Sequence, residues 1–356
     1  VARIDAIFKL VQDQGASDLH LTAGSRPILR VDGSIQPIEQ EALSGELLNE
    51  LLREMMRPKD WATYEKEGEV DFGYEVPGVL RVRCNVFSQR KGIAGAFRIL
   101  PTKIYTVEQL QLPETVNNFA NLTKGLVVVT GPPGSGKSTT QAALIDHINR
   151  TRAVHIITIE DPIEYVHDNL KSLVNQREIG RHTRSFDTAL RAALREDPNI
   201  ILVGEMRDLE TISLAITAAE TGQLVFGTLH TSSAAQTIDR LIDVFEGDQQ
   251  EQIRTMLAES LQGVVAQKLL KRADGKGRIA ALEILVGTSP VRAMVREKKT
   301  FQITSTMQTG RKSGMQLLDD HLATLLRDGV ISVDEARKNA NQKERFREIG
   351  GAAEAA

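Results

Sequence analysis

Residues 125–140 read GLVVVTGPPGSGKSTT. The first six form a continuous apolar run closed by a threonine, the length of a buried strand. Residues 131–138 then fit G-x-x-x-x-G-K-[ST], and a helix-forming stretch starts at Lys137. A strand, a glycine-rich loop and a helix in that order turn backbone N–H groups towards an anion at the positive end of the helix. Gly131, Pro132, Pro133, Gly134, Ser135, Gly136, Lys137, Ser138 and Thr139 are therefore candidate nucleotide-binding residues. Lys137 is expected to reach the β- and γ-phosphates and the Ser138 hydroxyl to ligate Mg²⁺, which makes a nucleoside triphosphate, ATP or GTP, and Mg²⁺ the expected ligands.

Working outward, three further short apolar runs follow: AVHIITIED (153–161), NIILVGE (199–205) and QLVFGTLH (223–230). Helical stretches separate them. Such runs suit a parallel sheet buried on both faces, an α/β arrangement. Sheets of this kind present ligand-binding groups at the carboxyl ends of their strands. Glu160, Asp161 and Glu164 stand at one such end, Glu205 at another and His230 at a third. Hydrolysis needs groups that hold Mg²⁺ and orient a water, so Glu164, Glu205 and His230 are the catalytic candidates. Ser138 and Glu205 are the Mg²⁺ candidates, Glu205 directly or through water. The last third reads mainly as helices, at 233–244, 248–262, 288–297, 314–326 and 332–341, interrupted by a hairpin around KRADGKGR.

The first hundred residues have a different character. Ile4, Ile7, Phe8 and Val11 are spaced for a helix over 2–14. RPILRVDGSIQPI reads as a hairpin turning at Asp32-Gly33. Ser44 caps a helix over about 44–56, and another follows Pro58 and stops at Gly68. Three strands come next, with turns at Pro77-Gly78 and Arg90–Gly92. In the middle strand Arg81 and Arg83 share one face while Leu80, Val82 and Cys84 share the other. This predicts an α+β domain over 1–100, a linker over 101–112 that contains a candidate Thr106/Gln109 capping box, and a second domain over 113–356.

Bulk properties narrow the class. At roughly 100–200 residues per domain, 356 residues allow two domains. A net charge of −3 and 4% aromatics argue against a nucleic-acid translocase, which needs a basic groove and stacking platforms. One cysteine excludes both a disulfide framework within the chain and a tetracysteine zinc site. No apolar run reaches the roughly 18 residues of a membrane span. The start of the chain lacks the pattern of a signal peptide.

Four segments together resemble one family: GPPGSGKSTT, IEDPIEY, ILVGEMRD with the preceding ALREDPN, and TAAETGQLVFGTLHT. The chain is similar to the secretion-ATPase superfamily that powers type II secretion and type IV pili. GASDLHL and LRVRCNVF match as well, and PVRAMVRE (290–297) resembles a motif of the pilus-retraction branch. The resemblance implies a PAS-like N-terminal domain, a RecA-like P-loop ATPase domain and a homohexameric ring. It implies Glu164 as the carboxylate that polarises water, Glu205 as organiser of Mg²⁺ and its water, and His230 as a γ-phosphate sensor. Arg81, Arg83 or Arg98 would face a nucleotide across a subunit boundary. The load implied is the type IV pilus in retraction, with pilus assembly or type II secretion as the alternative within the superfamily. The relatives that assemble or secrete commonly carry extra N-terminal sequence and a tetracysteine zinc site. The implied partners are copies of the chain itself, an inner-membrane pilus platform protein and related pilus ATPases, with no nucleic acid. The implied location is the cytoplasm, peripherally at the inner membrane. Two positions depart from the family pattern: Pro133 stands where the family has Thr, and Gln223 where it has a second His.

Overall fold

A computed structural model of the protein describes residues 2–31, 34–76 and 78–347. The chain divides into two units, Val1–Lys103 with Pro162–Val166, and Ile104–Asp161 with His167–Ala356.

The first unit is a six-stranded antiparallel sheet with three helices. Its strands are β1 (Asp18–Thr22), β2 (Ile28–Val31), β3 (Ser34–Pro37), β4 (Glu69–Val76), β5 (Leu80–Gln89) and β6 (Gly92–Leu100), in the order β3-β2-β1-β6-β5-β4. The expected hairpins form, with Val31 opposite Ser34 and Val76 opposite Leu80. Their expected turn residues Asp32, Gly33 and Pro77 lie outside the described residues. Helix Gly45–Met55 starts where the Ser44 hydroxyl accepts the Leu47 N–H at 3.1 Å. Helix Pro58–Glu67 opens on proline and ends at Gly68. Leu80, Val82, Cys84 and Val86 of β5 are buried with Phe8, Leu19, Leu52 and Phe97. The period-2 alternation leaves Arg81 and Arg83 on the opposite face.

The second unit holds β7 (Gly125–Thr130), β8 (His155–Glu160), β9 (Leu173–Glu178), β10 (Ile200–Val203), β11 (Leu224–Leu229), β12 (Leu261–Lys271) and β13 (Arg278–Val286). Their order is β13-β12-β7-β11-β10-β8-β9, parallel throughout except for the β12–β13 hairpin. The apolar runs are continuous because both faces are covered. Leu126, Val128, Ile157, Ile201 and Val203 face a core built with helices Leu209–Thr221, Ala234–Asp243 and Gln250–Ser260. Val127, Ile156, Leu202 and Phe226 face another, built with Ala143, Leu144 and Ile148 of helix Lys137–Thr151.

Some details differ from the sequence-based expectation. β9 is an edge strand that LVNQRE does not announce. The helix expected to 262 ends at Ser260 and passes directly into β12. Thr106 and Gln109 do form the reciprocal box, with N–H to side-chain bonds of 3.0 and 3.3 Å, but only a turn follows. Val107 in that stretch is buried in the core of the second unit.

Candidate functional site

At β7 the sheet's order changes direction. β11, β10 and β8 lie on one side of it, and β12 and β13 on the other. Beyond the carboxyl end of such a strand an open α/β sheet holds its ligand, and the loop 131–136 occupies that position. Gly131, Gly134 and Gly136 all have positive φ, of 144°, 76° and 87°. A Cβ on Gly131 would fall onto the backbone carbonyl of Gln267, so no other residue fits there. The Ser135 N–H donates to Pro132 O at 3.1 Å, while Pro133 and Gly134 are exposed at the tip. Ser138 and Thr139, half-buried, open the helix that follows.

Three neighbouring strands then supply side chains in strand order. Lys137 follows β7, His230 follows β11 and Glu205 follows β10. The Lys137 ammonium donates to Gly131 O at 2.9 Å and Pro132 O at 3.2 Å, and lies 3.4 Å from His230 Nδ1. An ammonium has no lone pair, so Nδ1 is the accepting nitrogen of the ring. That leaves the proton on Nε2, which stands 2.8 Å from Glu205 Oε1. Arg207 pairs with the same carboxylate oxygen. Burial pushes the Glu205 carboxyl up, but the hydrogen bond and charge of Arg207, with the hydrogen bond from His230, outweigh it and hold the group below the usual carboxylate range. The backbone fixes this acid firmly. Gly204 N–H donates to Ile159 O of β8 at 2.8 Å, and Met206 N–H donates to Thr228 O of β11 at 3.0 Å. On the other flank, Thr130 Oγ1 donates to Thr231 O at 2.8 Å and so ties β7 to the segment after His230.

Other expected residues stand elsewhere. Glu160 turns to its own sheet edge, accepting from Thr158 Oγ1 at 2.6 Å and Gln176 Nε2 at 3.2 Å. Glu164 is half-buried on the segment Pro162–Val166, which groups with the N-terminal unit. Gln223 precedes β11 whereas His230 follows it, so the strand separates them by about 20 Å. Gln223 therefore contributes nothing to this chain's own phosphate loop. In the first unit Arg83 lies directly opposite Arg98, and Arg98 directly opposite Asp18. Arg98 Nε donates to Asp18 at 2.9 Å, and Arg81 pairs with Glu75 at 3.7 Å. Arg83 is exposed and has no carboxylate partner among the described residues. On helix Ser289–Arg296, Val291 and Val295 are buried. Arg292 and Arg296 of that helix both reach Glu259, at 3.3 Å (to its carbonyl) and 2.6 Å.

Arg207 beside Glu205 and Gln267 under the loop are visible only in the fold, as is Glu283 of β13, which holds the Ala234 N–H. The one signal the sequence offered was a lone polar residue inside an apolar run, Gln267 in VVAQKLL and Glu283 in ALEILV. Among the described residues no three His, Cys, Asp or Glu side chains form a metal-binding cluster. No helix among them is long and apolar enough to cross a membrane.

The model of the type II/IV secretion system protein family matches residues 1–355. The chain is 53% identical over 333 residues to a type IV pilus retraction ATPase of Pseudomonas aeruginosa, PilT, covering 94% of this chain and 96% of that protein. It is 50% identical over 318 residues to a twitching motility protein of Neisseria gonorrhoeae, covering 89% and 85%. The crystal structure of the pilus retraction motor PilT with bound ADP superposes with a TM-score of 0.90 at 45% identity, covering 98% of this chain and all of that one.

Proposed function

We propose that this chain, which belongs to the type II/IV secretion system protein family, is an ATP-hydrolysing motor that drives type IV pilus retraction. The observation that carries the reading is the line of contacts Lys137–His230–Glu205 across three adjacent strand ends beside the glycine loop. The load is taken from the similarity to the pilus-retraction protein of Pseudomonas aeruginosa.

In this reading the loop N–H groups and Lys137 hold the phosphates of ATP. Mg²⁺ binds with one or two protein ligands plus phosphate oxygens, so it needs no dedicated protein cage. Ser138 in the first turn of the helix and an ionised Glu205 fit that donor set. When bound, Mg²⁺ would neutralise charge on the phosphates. Glu205 orients the water that attacks, His230 reports the γ-phosphate to Glu205, and Glu164 takes the polarising role. Arg207 keeps the Glu205 carboxyl ionised.

The two units are read as a PAS-like domain over 1–100 and a RecA-like domain over 113–356, joined by 101–112. A parallel sheet with the phosphate loop after its first strand supports the second assignment. The working form is a homohexameric ring in the cytoplasm, docked on a pilus platform protein at the inner membrane, with related pilus ATPases as further partners. Arg83, with Arg98 opposite it, would reach a nucleotide held by a neighbouring copy. The exposure of Arg83, and the like charge facing it across the sheet, suit it to an anion better than Arg81. The test is steady-state phosphate release by the purified chain with Mg²⁺ and ATP. Wild type is expected to turn over, and Lys137→Ala and Glu205→Gln to lose turnover. Turnover that survives both changes would refute the assignment.

A further inference from the structure

One residue outside the glycine motif grips the phosphate loop. Gln267 lies on β12, 2% exposed, between β7 and β13. Its Nε2 donates to Ser135 O at 2.5 Å, and its Oε1 accepts from Thr140 Oγ1 at 2.9 Å. A carbonyl can only accept, so the amide nitrogen must be the end that faces Ser135, and the oxygen is left for the Thr140 hydroxyl. Both ends of the side chain are used, and its orientation is fixed.

The same residue lies against two loop glycines. A Cβ on Gly131 would fall onto the Gln267 carbonyl, and one on Gly136 would stand 3.2 Å from Nε2. The loop is therefore laid over Gln267: a side chain at 131 would collide with its backbone, and one at 136 would press on its amide.

Ser135 C=O and Gly136 N–H belong to one peptide unit. In a planar trans peptide they point in opposite directions. Holding the carbonyl against Gln267 turns the Gly136 N–H away from β12, out of the loop's inner side. We propose that Gln267 is a positioning residue that sets the direction of the Gly136 N–H and thereby the affinity of the loop for nucleotide phosphates. The proposal rests on the reading of 131–138 as a nucleotide-phosphate loop. An N–H aimed at a phosphate already bound in the ground state contributes uniform binding, so its loss raises KM and leaves kcat in place.

The experiment measures KM and kcat for MgATP on the full-length protein across a range of pH. Gln267→Leu removes donor and acceptor together, and is expected to raise KM about tenfold with kcat within about twofold of wild type. Gln267→Glu supplies a carboxyl that can donate to Ser135 O only while protonated, and burial favours the protonated form. Its KM is expected near wild type at the acid end, climbing with pH towards that of Gln267→Leu. A Gln267→Leu KM within twofold of wild type overturns the proposal, as does a loss confined to kcat. A Gln267→Glu KM that keeps a constant ratio to wild type across pH overturns it too, and stands as the test if the leucine variant does not fold. Lys137→Ala serves as the control. If it turns over as wild type does, the phosphate-loop reading itself has failed, and not only the role of Gln267.

Discussion

Glu283 is a carboxylate buried in β13, 7% exposed, and its removal has a calculable effect. Oε1 accepts the Ala234 N–H at 2.8 Å, and the carboxyl also accepts from the Leu318 backbone. Ala234 opens the helix that follows His230–Ser233, and Leu318 opens helix Leu318–Arg327. Glu283→Ala strands two buried donors at about 1–3 kcal/mol each, so the expected loss is about 3 kcal/mol once entering water recovers a part. At roughly 2–4 °C per kcal/mol for a domain of this size, Tm should fall by about 6–12 °C. Glu283→Gln keeps an acceptor and should stay within about 1 kcal/mol of wild type. The two forms also separate with pH. Burial raises the Glu283 carboxyl above its ordinary range, so between the unfolded and folded values the native state binds more protons than the unfolded chain. Stability from this group is therefore lost as pH rises through that window. Glutamine does not titrate, so Tm of Glu283→Gln minus Tm of wild type should grow with pH. Thermal melts at several pH values check this. A Tm for Glu283→Ala within about 2 °C of wild type, or equal damage from alanine and glutamine, would refute the reasoning.

Three further outcomes follow from the charged groups. Arg207→Ala removes the cation that holds the Glu205 carboxyl low, so the acid limb of the kcat/KM profile should move to higher pH; an unmoved limb would separate Glu205 from the chemistry. Arg98→Ala should lower both turnover and Tm, because the nearly buried Asp18 loses its nearer cation and is left with Ser17 and the more distant Arg30, whereas Arg83→Ala should lower turnover alone. Mixing Arg83→Ala with Lys137→Ala should restore turnover above that of either variant, since some interfaces then pair an intact loop with an intact arginine. A mixture no better than the average of the two would remove the role between subunits.

Much of this was readable along the chain, and the remainder depends on contacts across it. The strand–loop–helix at 125–151 was legible because a strand buried on both faces is apolar throughout and the loop needs its glycines. Ser44, Pro58 and Gly68 marked helix ends by local chemistry alone. β9 was not legible, since an edge strand such as LVNQRE has one partner and little apolar surface to bury. Nor could residue spacing say that β12 returns beside β7, and that placement is what brings Gln267 under the loop. Glu205 and His230 are candidates from their places at strand ends, and the fold brings the two side chains together. Arg207 was missed because its pairing with Glu205, two residues earlier, depends on how the backbone turns after β10, which residue spacing does not give.

The most direct test of the central claim is the number of surface pili on cells lacking this protein, then restored with wild type or Lys137→Ala. The account predicts that cells without the protein carry excess pili and do not twitch, and that wild type corrects both defects while an equally expressed Lys137→Ala corrects neither. Cells that lose their pili when the protein is absent would contradict it, and would make the chain a motor of assembly.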